Sequence, residues 1–353
     1  MTVPMDEKID LKAFFCETCG KFVICEHLTL LYQDKNSIVR QNCEKVFEKI
    51  TTYGFLMFSN VPDTFEANTS LNIPAIQEFF NSPLETKLQA LSKDRARRGY
   101  CPVSTENFAT LVGVSGKPND SVEKFRIGPQ YCDVSEEIYV EYFTSKESRI
   151  HFFPNDFTSV SSDFESTALR VYNAMEFLAK LFLNIFELAC QLPAHSLFQS
   201  RFSDYHTSIL TFNYFAALDS PECTERIADH TDVSVFTILS ELFPNNSLDG
   251  NCELQILDLT NEHWQTIAFE ENCVGVNIGD CFNYLSMGRL KSARHRVVQR
   301  DRFRSQCRLT SAFFYTPSYD VFLSWPGESP ETHMTYTDWR KQLIAKAMKK
   351  LKK

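Results

Sequence analysis

Three side chains in the second half of the sequence have the types and spacing of a metal-ligand set. In the run ADHTDVSVFTIL, His230 and Asp232 stand two residues apart, and His295 follows far downstream in SARHRVVQR. Side chains on a strand alternate between its faces, so on or beside a strand His230 and Asp232 project to one side while Thr231 points away. A return strand carrying His295, facing the first, brings a second imidazole to them. Two imidazoles and one carboxylate on one face of a metal, with the other positions open, is the ligand set of non-haem Fe(II) oxygenases. By itself His-x-Asp is more often a hydrogen-bonded surface pair. The elements that carry it decide.

Those elements are short and apolar. From residue 206 onward the runs TSILTFNYF, VSVFTIL, CELQILDL, WQTIAF, CVGVNI, HRVVQR and RLTSAFFYT are separated by Gly, Asn, Asp and Pro at hairpin-like intervals. Many short strands without intervening helices mean a sandwich, jelly roll or barrel. Before them, residues 164–191 place Leu169, Tyr172, Met175, Leu178, Phe182, Ile185 and Leu188 at three- and four-residue steps, with Pro193 as the stop. That pattern predicts one long helix packed along a sheet. Nearer the N-terminus, residues 40–52 read as helix, YGFLMFSNVP at 53–62 as a strand closed by Pro62, and 69–91 as helix interrupted at Pro83. Residues 93–130 read as loops with short strands, and the tail from 336 as a helix whose lysine-rich end complements its dipole.

Composition narrows the class. The chain has 353 residues, 43% of them hydrophobic and 23% charged, including 31 Phe, 12 Cys and a net charge of −9. This is a globular composition with an aromatic core. The acidic balance argues against a nucleic-acid partner, since phosphate binding draws on Lys and Arg. No run approaches the length of a membrane span, and MTVPMDEKIDLKAFF lacks the order of a signal peptide. The expectation is a cytoplasmic protein with reduced thiols, monomeric, with no membrane partner.

Residues 40–345 resemble the isopenicillin N synthase-like family of 2-oxoglutarate/Fe(II)-dependent dioxygenases. The resemblance rests on motifs in order: YGFLMFSNVP, RRGY at 97–100, HFFPNDF at 151–157, SILTFNYF at 208–215, HTDVSVFTIL, VGVNIGDCFNYLSMGRLKSARHRVV and RLTSAFFYTP. It implies a mainly β fold with flanking helices, a distorted double-stranded β-helix (jelly roll) spanning about 200–320. It also implies His230, Asp232 and His295 as the catalytic iron ligands. Fe(II), 2-oxoglutarate as co-substrate and O2 would then be required, with ascorbate as an in vitro reductant.

In RLT at 308–310, the family's Arg-x-Ser pattern implies that Arg308 and Thr310 hold the distal carboxylate of 2-oxoglutarate. An Arg fork suits a carboxylate, and the alternative for Arg308 is an ion pair with an acidic neighbour. The family's Asn-Tyr-Tyr run reads Asn213-Tyr214-Phe215 here, which leaves Asn213 and Tyr214 as candidates for co-substrate contact. Arg97 occupies a place where relatives handling carboxylate substrates carry an Arg, pointing to an anionic, amino-acid-like metabolite. Phe313 and Phe314 offer at least one ring toward the barrel interior, and Phe314 is taken as a substrate contact.

Residues 1–150 are expected to form an N-terminal mixed α/β region and 151–353 the jelly-roll region, together one catalytic unit. Hydroxylation, desaturation and oxidative ring closure all stay open as outcomes. So do an iron oxidase without 2-oxoglutarate and a non-catalytic binding protein on the same fold. Cys16, Cys19, Cys25 and His27 in CETCGKFVICEH could ligate zinc, though reduced thiols are the favoured reading.

Overall fold

A computed structural model of the chain describes residues 3–22, 26–62, 72–91, 98–111, 113–131, 154–193, 196–197, 205–217, 225–242, 251–300, 305–329 and 333–351. Its strands are β1 (Lys8–Asp10), β2 (Phe15–Cys16), β3 (Lys21–Phe22), β4 (Phe55–Ser59), β5 (Gly99–Cys101), β6 (Glu123–Ile127) and β7 (Ile209–Phe215). They continue as β8 (Glu225–His230), β9 (Phe236–Glu241), β10 (Cys252–Asp258), β11 (His263–Ile267), β12 (Val274–Ile278), β13 (His295–Gln299) and β14 (Arg308–Tyr315).

Two sheets face each other as a jelly roll. The larger has the order β1-β4-β12-β9-β14-β7-β6-β5 and the smaller β11-β10-β13-β8. All neighbours are antiparallel except β1 beside β4. The large sheet therefore extends beyond the predicted 200–320 span. β1, β4, β5 and β6 come from the first 150 residues and complete it, because a sheet edge left bare exposes unpaired backbone groups.

Strand alternation divides the core in two. On β4, Phe55 and Met57 face the space between the sheets, while Leu56 and Phe58 face outward. The outward face of the large sheet is covered by the helix Ser162–Ala189, close to its predicted span. Phe182 of this helix stacks on Phe58 at 4.6 Å, Tyr172 meets Phe313 at 5.4 Å and Phe186 meets Phe236 at 5.5 Å. Each such ring contributes about 1.5–3 kcal/mol of burial energy. The helix begins at Ser161, whose hydroxyl accepts from the Phe164 amide at 3.2 Å. It stops before Pro193, which cannot continue it.

The remaining predicted helices are found at Ile38–Thr52, Ile73–Asn81, Leu84–Gln89 and Tyr336–Leu351, the middle two divided around Pro83. Among the described residues no helix is long and apolar enough to cross a membrane.

Candidate active site

His230 is the last residue of β8 and His295 the first of β13, and the two stand directly opposite each other in the antiparallel pair. They are neighbours within the small sheet, rather than ends of facing strands. Their rings lie 4.2 Å apart. Asp232 is not on the strand. It sits in the connection after β8, held by its carbonyl, which accepts from the Asp280 amide at 2.7 Å, and by its carboxylate. Gly279 lets this turn close, since a Cβ there would meet the Ser234 carbonyl oxygen at 2.0 Å.

The donor atoms converge. His230 Nε2 and His295 Nε2 lie 3.7 and 3.8 Å from Asp232 Oδ1. The three residues are buried, and among the described residues they are the only group whose ligand atoms gather within 4.8 Å. His230 Nδ1 donates to the Ala228 carbonyl at 2.7 Å and His295 Nδ1 to the Ala293 carbonyl at 3.1 Å. A carbonyl only accepts, so each proton is on Nδ1 and each Nε2 lone pair faces the centre. Thr237 Oγ1 donates to Asp232 Oδ2 at 2.6 Å, which leaves Oδ1 for a metal. Burial, reinforced by the adjacent His295, pushes the His230 imidazole below its ordinary range, which favours the neutral donor. This donor set fits Fe(II).

The triad opens into a cavity between the two sheets that is partly open to solvent. Arg308, Thr310 and Phe314 of β14 line it, as the two-residue repeat requires, and Phe313 points the other way into the helix-covered core. Asn213 lines it too, its Nδ2 donating to Thr310 Oγ1 at 3.5 Å. Thr211 Oγ1, on the same face of β7, is buried without a hydrogen-bond partner among the described residues. These groups fit a polar ligand such as 2-oxoglutarate.

Tyr214 does not join them. Strand alternation turns it to the opposite face, where it stacks on Phe80 at 5.1 Å and its hydroxyl donates to Asn81 Oδ1 at 2.6 Å. Phe215 lines the cavity as an apolar wall. Arg308 pairs with an acidic neighbour: its Nε donates to Glu241 Oε1 at 2.9 Å and its Nη2 to Oε2 at 3.1 Å. Arg97 lies outside the described residues, as do Cys25 and the side chain of His27. Cys16 is packed in the outer core and Cys19 is exposed in the β2–β3 turn.

Sequence reasoning missed the cations of β6. Lys124 and Arg126 both line the cavity and share Glu106, at 2.7 and 2.6 Å. Lys124 Nζ stands 4.2 Å over the Phe108 ring, and Phe108 in turn lies 4.6 Å from the His230 ring. The available signal was the alternation in EKFRI, which puts Lys124 and Arg126 on one strand face. Burial would raise the Glu106 pKa, but the two cations outweigh it and hold the carboxyl well below the usual range.

Residues 206–317 match the sequence profile of the 2OG-Fe(II) oxygenase superfamily. Among curated proteins, gibberellin 20 oxidase 2 of Arabidopsis thaliana is 25% identical over 293 residues, covering 82% of this chain and 68% of that relative. Among solved structures, a putative 2OG-Fe(II) oxygenase family protein from Caulobacter crescentus superposes with a TM-score of 0.70 at 20% identity, covering 89% of this chain and 96% of that one. A rice dioxygenase for auxin oxidation gives a TM-score of 0.62 at 17% identity, covering 96% of this chain and 95% of that one. At these identities the structural likeness speaks for the fold.

Proposed function

Since the chain belongs to the 2OG-Fe(II) oxygenase superfamily and is a 2OG-dependent dioxygenase using Fe(II), 2-oxoglutarate and O2, we propose that it oxidises an unactivated C–H bond of a small, carboxylate-bearing, amino-acid-like metabolite. The observation that carries the substrate class is the β6 cluster. Lys124 and Arg126 share the carboxylate Glu106, with Asp120 a further acidic neighbour of Lys124, so two cations face a cavity walled by Phe108, Phe215, Phe269 and Phe314. An anion entering this low-dielectric space is attracted more strongly than in water. Lys124 stands over the Phe108 ring, which in turn lies beside His230, so the cations are close to the proposed metal position. Arg97, outside the described residues, stays a candidate for a further substrate contact.

His230, Asp232 and His295 would hold the metal through Nε2, Oδ1 and Nε2. Thr237, Ala228 and Ala293 orient them through the hydrogen bonds already given. Arg308 and Thr310 would take the distal carboxylate of 2-oxoglutarate, with Asn213 supporting the Thr310 hydroxyl. When bound, iron and 2-oxoglutarate supply the oxygen-activating chemistry, with release of succinate and CO2. The aromatic walls exclude water and restrict the substrate's pose, which sets which C–H bond is presented.

The test is a succinate-release assay on Fe(II)-loaded protein with 2-oxoglutarate, O2 and a panel of small carboxylates and their neutral amide analogues. Succinate formation stimulated by a carboxylate and not by its amide is expected, and replacing Lys124 by Met should remove that preference. Equal stimulation by the amides refutes the substrate class. Oxygen uptake without succinate refutes the 2-oxoglutarate role.

A further inference from the structure

The proposed anchor for 2-oxoglutarate already holds a carboxylate. Glu241 ends β9 and stands in register with Thr310 on β14, which brings it to Arg308. It grips the guanidinium bidentately along the Nε/Nη2 edge, at 2.9 and 3.1 Å. The side chains of Arg308 and Glu241 are 6% and 13% exposed, so solvent screens their attraction little. On the other side, Nη1 faces the Cys252 sulfur at 3.9 Å, and burial pushes that thiol up, keeping it neutral. The Phe215 ring lies 5.7 Å from the guanidinium carbon.

The contrast with β6 is informative. There, two cations share Glu106, with Asp120 also acting on Lys124; here, one cation meets one carboxylate and the pair is neutral. Arg308 lines the cavity, and its five N–H groups exceed the three engaged by Glu241 and Cys252. An arriving carboxylate reaches the remaining donors with the Glu241 charge as a near neighbour.

We infer that Glu241 is a positioning residue that orients Arg308 by one edge and, as an internal rival, weakens the hold of this subsite on the distal carboxylate of 2-oxoglutarate and of succinate alike. The inference rests on the proposed role of Arg308. Its functional sense is selectivity and turnover. With Arg308 neutralised, the distal carboxylate alone binds weakly, and tight binding requires a second attachment at the metal. Succinate shares the distal carboxylate but lacks the keto acid, so it leaves readily.

The test uses full-length Glu241→Gln, which keeps the side-chain shape and an acceptor for Arg308 while removing the charge. Anaerobic Fe(II)-loaded protein is titrated with 2-oxoglutarate, following the charge-transfer absorption of chelation, and with succinate by calorimetry. Both dissociation constants are expected to fall about tenfold or more, and by similar factors, since the charge next to the shared carboxylate is gone. A lower melting temperature with both constants unchanged assigns Glu241 a structural role and overturns the inference; so does weaker binding of either ligand. If Glu241→Gln fails to fold, Glu241→Asp draws the charge back from the fork and should tighten both ligands severalfold, no change again being refutation. Arg308→Ala separates the two readings. Loss of about a hundredfold in 2-oxoglutarate affinity there, with no effect of Glu241→Gln, sinks the rivalry alone. Unaltered affinity in Arg308→Ala sinks the anchor itself.

Discussion

Replacing Thr237 by Val probes how Asp232, the proposed metal ligand, is aimed. Thr237 is fully buried on β9, and its hydroxyl is a donor to Asp232 Oδ2 at 2.6 Å. Val keeps the β-branched shape and deletes only the hydroxyl, so the strand should persist. A hydrogen bond to a buried charged group contributes about 1.5–3 kcal/mol. Its loss frees the carboxylate to rotate and to present either oxygen. Outer partners of metal ligands typically contribute 10- to 100-fold in affinity. Ser234 Oγ lies 2.9 Å from the Thr237 hydroxyl and can swing toward the vacated space, which favours the lower half of that range. The assay is anaerobic competition between the protein and a chelator for Fe(II), with Co(II) as an air-stable check. Thr237→Val should lose about tenfold in affinity, Thr237→Ser almost nothing, and Ser234→Ala less than Thr237→Val because its hydroxyl reaches the carboxylate only through Thr237. A Thr237→Val protein that binds metal within twofold of wild type refutes the argument.

Other perturbations follow from the same geometry. His295→Ala should abolish iron binding and turnover with the circular-dichroism spectrum retained, because the sheets are built by packing and not by the metal. Thr310→Val should weaken 2-oxoglutarate binding by about 1.5–3 kcal/mol, and Thr310→Ser hardly at all, in the charge-transfer titration. Tyr214→Phe should leave that titration unchanged and lower stability by about 0.5–1.5 kcal/mol through loss of the bond to Asn81, measured by urea unfolding. For Glu106, the folded carboxyl titrates below its ordinary value of 4.5, so its stabilising effect is full above that pH and fades as pH falls through the acid range. The melting-temperature gap between wild type and Glu106→Gln should therefore be widest near neutrality and shrink below about pH 4.5; a gap independent of pH would count against the cluster.

Much of this protein was legible without coordinates. The long helix, the strand succession from residue 206 and the divided helices around Pro83 follow from period and from proline, which are local properties of the chain. His230, Asp232 and His295 were visible because a metal demands particular donor types, and the two-residue repeat of β14 sufficed to put Arg308, Thr310 and Phe314 on one face. What tertiary structure alone decided is non-local. Strand register set His230 against His295 as direct neighbours, and a turn closed over Gly279, not strand alternation, delivered Asp232. The pairing of β6 with β7 carried Lys124 and Arg126 into the cavity from a segment far away in sequence. The same alternation that admits Asn213 turned Tyr214 outward once the cavity side of β7 was settled. Glu241 reached Arg308 because β9 lies beside β14 in the large sheet. Periodicity specifies which residues share a face; only the packing of sheets specifies what that face meets, because a charge has no partner until another strand brings one.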